Sequence, residues 1–226
     1  MPITTILFDA YGTLFDTGRG SIEATEQILK KRHTNIDANL FYSRWKTLHN
    51  RLTQEQPSFV TEERIFLLGL SKLYEEHGIV GSASEDVEIM LQTLGRRSAY
   101  PEINAVLARL KPHYRIYIAS TSDHRPLMDD IVRNGVAVDR VFSSESLQSY
   151  KPQRRFYTDI LQQAGAHPSE TLFVGDSLVD DVRGPQSVGM KAVWVNRKGR
   201  DAEDVSPDFT IENLNGLFAV LGETLV

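Results

Sequence analysis

Ile3-Thr4-Thr5-Ile6-Leu7-Phe8-Asp9-Ala10-Tyr11-Gly12-Thr13-Leu14-Phe15-Asp16 is an apolar run that ends in a carboxylate and then in a turn of small residues. A buried parallel strand reads this way, and it delivers one reactive group to the C-terminal edge of its sheet. Ligand sites of open α/β sheets lie at that edge. Gly12 allows a sharp turn just after the carboxylate. Asp9 is therefore the candidate nucleophile, and the later segments are read by whether they can converge on it.

The rest of the chain divides in two. From Thr17 to Arg97 strand-like runs are nearly absent and helical spacing dominates. Ile22, Ile28 and Leu29 mark one helix, and Leu40, Phe41, Trp45, Leu48 and Leu52 a second. Ile65, Leu68, Leu73 and Tyr74 mark a third, opened by Thr61 with Glu62 and Glu63. Ser84, Glu85 and Asp86 start a fourth, carrying Val87, Met90, Leu91 and Leu94. Four helices inserted after a first strand form an expected cap over 17–97, with 1–16 and 98–226 as the core. The core then alternates. Helices are expected over Glu102–Leu110, Pro126–Asn134, Arg155–Ala164, Asp180–Val188 and Leu214–Leu221. Strands are expected over Arg115–Ala119, Arg140–Ser143, Thr171–Val174, Lys191–Val195 and Phe209–Ile211. This pattern predicts a three-layer α/β/α fold with a doubly wound parallel sheet.

Composition narrows the function. The 226 residues carry a formal net charge of -5, with no Lys/Arg block, which argues against nucleic acid or an anionic membrane as partner. Cysteine is absent, so thiolate metal sites and disulfides are excluded. No apolar run reaches the length of a membrane span, and the first strand begins without a basic leader. The expectation is a cytoplasmic enzyme, monomeric or homodimeric, acting on a small molecule.

Polar groups cluster at or near predicted strand ends: Asp9, then Ser120 and Thr121, then Lys151 before Pro152, then Asp176 with Asp180 and Asp181. A carboxylate can form a covalent ester that water cleaves. Attack on a phosphate needs compensating positive charge, from Lys151 and from Mg²⁺ held by Asp9, a backbone carbonyl at Tyr11, and Asp176. Hydroxyls and N–H groups around Ser120 can hold the transferred oxygens.

These segments resemble the four motifs of the haloacid dehalogenase-like hydrolase superfamily, and the helical insertion resembles the cap of one large subgroup. The first motif, Phe8 to Asp16, is the most specific match. Phosphatases of this superfamily carry an acid/base Asp two residues after the nucleophile, where this chain has Tyr11. Tyrosine there resembles the L-2-haloacid dehalogenases, which displace halide without metal, aided by a cap arginine for which Arg44 is the counterpart. Ser120 and Tyr157 also fall where that subgroup places a serine and a tyrosine. The fourth motif points the other way. Asp176, and its spacing to Asp181, follow the phosphatases, whereas dehalogenases carry uncharged residues there. Thr121 stands where dehalogenases keep Asn. The resemblance thus implies a Mg²⁺-dependent phosphatase with Asp9, Ser120 and Lys151 in catalysis. Tyr11, Thr121 and Arg44 would meet substrate, with Asp180 and Asp181 supporting behind the ligands. A metal-independent 2-haloacid dehalogenase is the rival, and a non-catalytic binding protein the second.

Overall fold

The computed structural model describes residues 2–202 and 204–222. Its elements follow in chain order: β1 (Thr5–Phe8), β2 (Phe15–Asp16), α1 (Gly20–Lys31), α2 (Ala38–Glu55), α3 (Glu62–His77), α4 (Ala83–Leu91), β3 (Ser98–Ala99), α5 (Ile103–Leu110), β4 (Arg115–Ser120), α6 (His124–Arg133), β5 (Arg140–Ser143), α7 (Ser144–Leu147), α8 (Arg154–Ala164), β6 (Thr171–Gly175), α9 (Gly184–Gln186), β7 (Lys191–Val195), β8 (Phe209–Ile211) and α10 (Leu217–Val220). Six strands make one sheet in the order β5-β4-β1-β6-β7-β8, every pair parallel. The chain starts at the middle of the sheet and winds outward both ways, as the alternating pattern predicts.

Alternation along the strands feeds two cores. Ile6 and Phe8 face one side with Ile116, Ile118, Val174 and Val193. Leu7 faces the other with Tyr117, Phe142, Phe156 and Phe173. Helices cover both faces, which is why these strands are apolar throughout. The register pairs Phe8 with Ile118 on one side and Val174 on the other. Asp9, Ser120 and Asp176 therefore emerge at neighbouring points of one sheet edge, and Asp9 N–H still donates to the Val174 carbonyl (2.9 Å).

The chain leaves the core through β2 and returns through β3, and these two short strands pair antiparallel. Between them α1 to α4 pack each against the next, with α4 returning to α1, so the insertion closes on itself as a bundle. Its core is Phe41, Trp45, Leu48, Leu70, Leu73 and Met90 among others. Gly69 lets α3 approach the Trp45 indole, because a Cβ there would sit 2.8 Å from the ring. Buried Asp86 ties the ends of α1 and α4 to α3: it accepts from Arg32 Nη2 (2.9 Å) and from the Tyr74 hydroxyl, and pairs with Lys31 (2.6 Å).

Several local expectations change. The start of α4 is capped by Ser82, not Ser84. The helix expected over Asp180–Val188 is a π-helical turn, Leu178–Arg183, running into α9. Gly184 and Pro185 sit at the junction, and Gly184 lies against the Tyr157 ring, where a Cβ would clash. The terminal helix begins as a tight turn over Leu214–Gly216 before α10. Strands β2 and β3, two residues each, are too short to show a period.

Candidate active site

Four loops at the C-terminal edge of the sheet build the site. The loop after β1 carries Asp9, which is buried. Gly12 then adopts φ +97°, a left-handed turn that also brings the chain against Asp176: a Cβ at Gly12 would lie 2.7 Å from the Asp176 Cγ. The end of β4 supplies Ser120, buried, with Ser122 Oγ donating to its hydroxyl (3.1 Å). Lys151, between α7 and α8, is buried and reaches the centre. Its Nζ donates to Asp9 Oδ1 and to Asp181 Oδ1, each at 2.7 Å. The loop after β6 supplies Asp176, and the π-helical turn supplies Asp181.

Charge in this centre is unbalanced. The carboxylates of Asp9, Asp176 and Asp181 can place one oxygen each within 4.8 Å of one another. Burial pushes the Asp9 carboxyl up to about 8; Lys151 opposes this, while Asp181 and Asp176 reinforce it. Asp176 is likewise raised by burial and by Asp181, with Arg200, Lys151 and the cap residue Lys46 favouring its ionised form. Asp180 is pushed up to about 6 by burial and Asp181. Burial disfavours the charged form of Lys151, but Asp181 and Asp9 outweigh it and hold the ammonium protonated. Asp181 is fully engaged: Oδ1 by Lys151 and Oδ2 by the Ser177 N–H (2.9 Å). Asp176 holds a loose ion pair with Arg200 at 3.9 Å. Hard divalent cations are bound by such oxygen sets, and the free geometry falls to Asp9 and Asp176, with Asp181 fixing the lysine behind them.

Tyr11 points away from the carboxylates. Its hydroxyl donates to Asp130 Oδ2 on α6 (2.9 Å), and burial together with the Asp130 charge raises its pKa far above the ordinary phenol value. Asp130 is itself fixed by the Arg97 N–H (2.6 Å). The position two residues after Asp9 therefore offers no acid or base to the reaction. Its ring still lines the cavity above Asp9, with Thr121 and Lys151.

That cavity has a volume of about 500 Å³ over the carboxylates, and a second of about 460 Å³ adjoins it under the cap. Asp9, Ser120, Thr121, Lys151, Asp176, Asp180 and Asp181 all line the first. Arg44, expected to meet substrate, is not among the residues that line either cavity. Its guanidinium pairs with Glu76 of α3 (3.1 Å) on the outside of the cap. Two positions along α2, the helix has turned inward, and Lys46 with Asn50 lines both cavities. Tyr157 is buried below the site, donating to the Asp180 carbonyl (2.5 Å). His124 faces Ser143 (3.3 Å) instead of the cavity. The loop after β7 contributes Arg197 and Lys198, and Arg200 beyond it, to the rim.

Sequence reading missed Lys46, His49, Asn50, Glu62, Asp123 and Asp130. One signal was available for three of them. Tyr42, Lys46, His49, Asn50 and Thr53 recur at helical spacing beside the apolar stripe of α2, and all five line the cap cavity. Asp123 closes the polar cluster after β4, but its N–H partners are about 60 positions away, and Asp130 has no local signal because its partners are about 30 and 120 positions away.

Known proteins resemble this chain in both chemistries. A pyrimidine 5'-nucleotidase, PynA of Streptococcus pneumoniae, is 25% identical over 200 residues, covering 84% of this chain and 83% of that protein. The (S)-2-haloacid dehalogenase H-109 of Pseudomonas putida is 28% identical over 210 residues, 88% of each. Among solved structures, the L-2-haloacid dehalogenase of Xanthobacter autotrophicus superposes with a TM-score of 0.79 at 21% identity, over 99% of this chain and all of that one. The family model for haloacid dehalogenase-like hydrolases matches residues 3–189, most of the chain and all four loops of the site, and the chain belongs to that family.

Proposed function

We propose that the protein is a phosphatase of small phosphate monoesters that works through an aspartyl-phosphate on Asp9 with Mg²⁺ bound. The observation that carries this is Asp176 beside Asp9: three carboxylates, two of them buried and Asp176 partly exposed, share one centre with a single buried ammonium. An anionic haloacid entering that centre without a metal meets uncompensated negative charge. Asp9, Asp176 and the backbone carbonyl at Tyr11 would hold Mg²⁺, which when bound supplies charge neutralisation and an anchor for a phosphoryl oxygen.

The chain's own residues do the rest. Asp9 attacks phosphorus in line, its Oδ–P bond forming as the ester P–O bond breaks, and the departing alkoxide takes its proton from solvent water. Lys151 holds Asp9 in place and lends its positive charge to the transferred group, while the Ser120 hydroxyl orients a phosphoryl oxygen. Water then attacks the aspartyl-phosphate, releasing inorganic phosphate and restoring the Asp9 carboxylate. Tyr11 cannot protonate the leaving alcohol, since its proton is held by Asp130. General acid–base assistance contributes ~10²–10⁴-fold, so esters with good leaving groups turn over fastest.

A second reading has its own observation. Tyr11, in place of an acid/base Asp, fits metal-free displacement of halide from a 2-haloacid by the same Asp9. One experiment separates them. Phosphate release from a panel of monoesters and chloride release from L-2-chloropropionate are measured with Mg²⁺ and with EDTA. Metal-dependent phosphate release establishes the phosphatase. Chloride release in EDTA, without phosphate release, overturns it.

A further inference from the structure

The cavity does not end at Asp9. Its second lobe, about 460 Å³, lies between α2, α3 and the core loops and shares Lys46, Asn50, Tyr11, Thr121 and Lys151 with the first. At ~30 Å³ per water it has room for about 15, which a haloacid of six non-hydrogen atoms would leave mostly wet. A substrate reaching from Asp9 into this lobe has a leaving group of real size.

His49 stands in the wall of that lobe. Its ring packs on Phe66, centroids 4.9 Å apart. Its Nε2 is buried and lacks a hydrogen-bond partner. The nearest anion, Glu62 Oε1, is 3.6 Å away, beyond hydrogen-bond length. Both side chains are mostly buried, 14% exposed each. Buried polar atoms are nearly always paired, so an orphan in a cavity wall invites a ligand atom.

The pair is keyed to the catalytic loops. Asp123, three residues beyond Ser120, accepts the Glu62 N–H (2.8 Å) and the Glu63 N–H (3.0 Å) at the start of α3. Tyr150, next to Lys151, donates to the Val60 carbonyl (2.9 Å) and stacks on Phe59. The segment bearing Glu62 is thus fixed to the same loops that carry the chemistry. Around it Asn50, Thr53 and Gln54 add donors and acceptors, and Tyr42 and Phe66 add aromatic surface.

We infer that His49 and Glu62 form a specificity site for the alcohol part of the substrate, which is a ring bearing hydroxyl groups, joined to phosphate. This rests on the phosphatase reading of Asp9. Such a ring offers hydroxyls that accept from one side of the pair and donate to the other, and a face for Phe66. It occurs in sugar phosphates and in nucleoside monophosphates, which share the chemistry the lobe reads.

The test compares kcat/KM, with Mg²⁺, for ribose 5-phosphate, uridine 5'-monophosphate and acetyl phosphate, whose acyl group is too small to fill the lobe. Leaving-group chemistry favours acetyl phosphate, so the readout is the ratio of the better ring ester to acetyl phosphate, and a tenfold preference between the two ring esters assigns the source. His49→Ala lowers the ratio of that ester to acetyl phosphate by about tenfold or more, the order one hydrogen bond supplies. Glu62→Gln lowers it in the same direction, and His49→Gln, which keeps a polar side-chain end, recovers part of it. A thermal shift with Mg²⁺ and BeF₃⁻, retained in each variant, shows an intact centre. An unchanged ratio, or equal losses on the ring ester and acetyl phosphate, overturns the inference and leaves the phosphatase standing. Wild-type protein that turns over no phosphate compound overturns the phosphatase reading itself, and this one with it.

Discussion

Lys151→Met removes the one buried cation of the centre while keeping a long side chain, so it isolates charge from volume. The ammonium sits 2.7 Å from both Asp9 and Asp181, with 1% of its side chain exposed. Breaking a buried pair by deleting one partner costs about 3–5 kcal/mol, because the other charge is left uncompensated. For a chain of this size each kcal/mol moves Tm by about 2–4 °C, giving a fall of roughly 6–20 °C. The pH dependence has a definite sign. Carboxyls left without the lysine fold with pKa values raised above the unfolded value near 3.9. Asp9 is already up at about 8 with the lysine present. The folded state then binds more protons than the unfolded one, so stability is complete below the unfolded pKa and declines as pH rises toward the folded one. The deficit of the variant against wild type therefore widens as pH rises past about 8, where wild-type Asp9 ionises beside the lysine and the variant's carboxyl, held higher still, stays protonated. Thermal unfolding followed by circular dichroism in EDTA, from about pH 5 to above about pH 8, measures it. A Tm loss under about 3 °C above pH 8, or one that is no larger there than at about pH 5, would refute the claim that the lysine neutralises this centre.

Four other outcomes are expected. Asp9→Asn loses ~10³-fold or more of turnover and the BeF₃⁻-dependent thermal shift; residual activity near wild type in protein purified free of it would exclude Asp9 as nucleophile. Gly12→Ala places a Cβ against Asp176 at a positive φ, which costs about 1–3 kcal/mol of strain and weakens the Mg²⁺-induced rise in Tm. Lys46→Ala raises KM for phosphate esters while Arg44→Ala stays within about twofold of wild type, as charges on the outer face of a helix contribute little; the reverse order would put the cap helix in a different rotation. In the cap, burial works to raise the pKa of Asp86, but hydrogen bonds from Arg32, Lys31 and Tyr74 outweigh it and hold it low. The stability this gives is present above the unfolded pKa and lost as pH falls through the folded value, so acid melting below about pH 4 should begin in the cap, and Asp86→Asn should flatten that acid limb.

The lines between local and distant information are visible residue by residue. Asp9, Ser120 and Asp176 were legible because each ends or follows an apolar run, and parallel strands deliver such ends to one edge whatever else the chain does; Lys151 was legible from Pro152 after it and from its place in the order of the segments. The cap helices were legible from period alone, since their apolar stripes face one another. The polar stripe of α2 was present in the sequence as well, but period does not say what a polar face meets.

The sequence by itself determined the strand ends, the helix faces and the residue types that meet at Asp9, because strand alternation and helical pitch are local properties of the backbone. Only the tertiary structure decided that Lys151 bonds Asp181, that Tyr11 is turned to Asp130, and that Lys46 replaces Arg44 at the cavity. Each of those depends on the rotational phase of one element against another. That phase is set by packing between segments far apart in the chain, such as Gly69 against Trp45 or the π-helical turn against Tyr157, and a shift of one residue there turns a different side chain to the site.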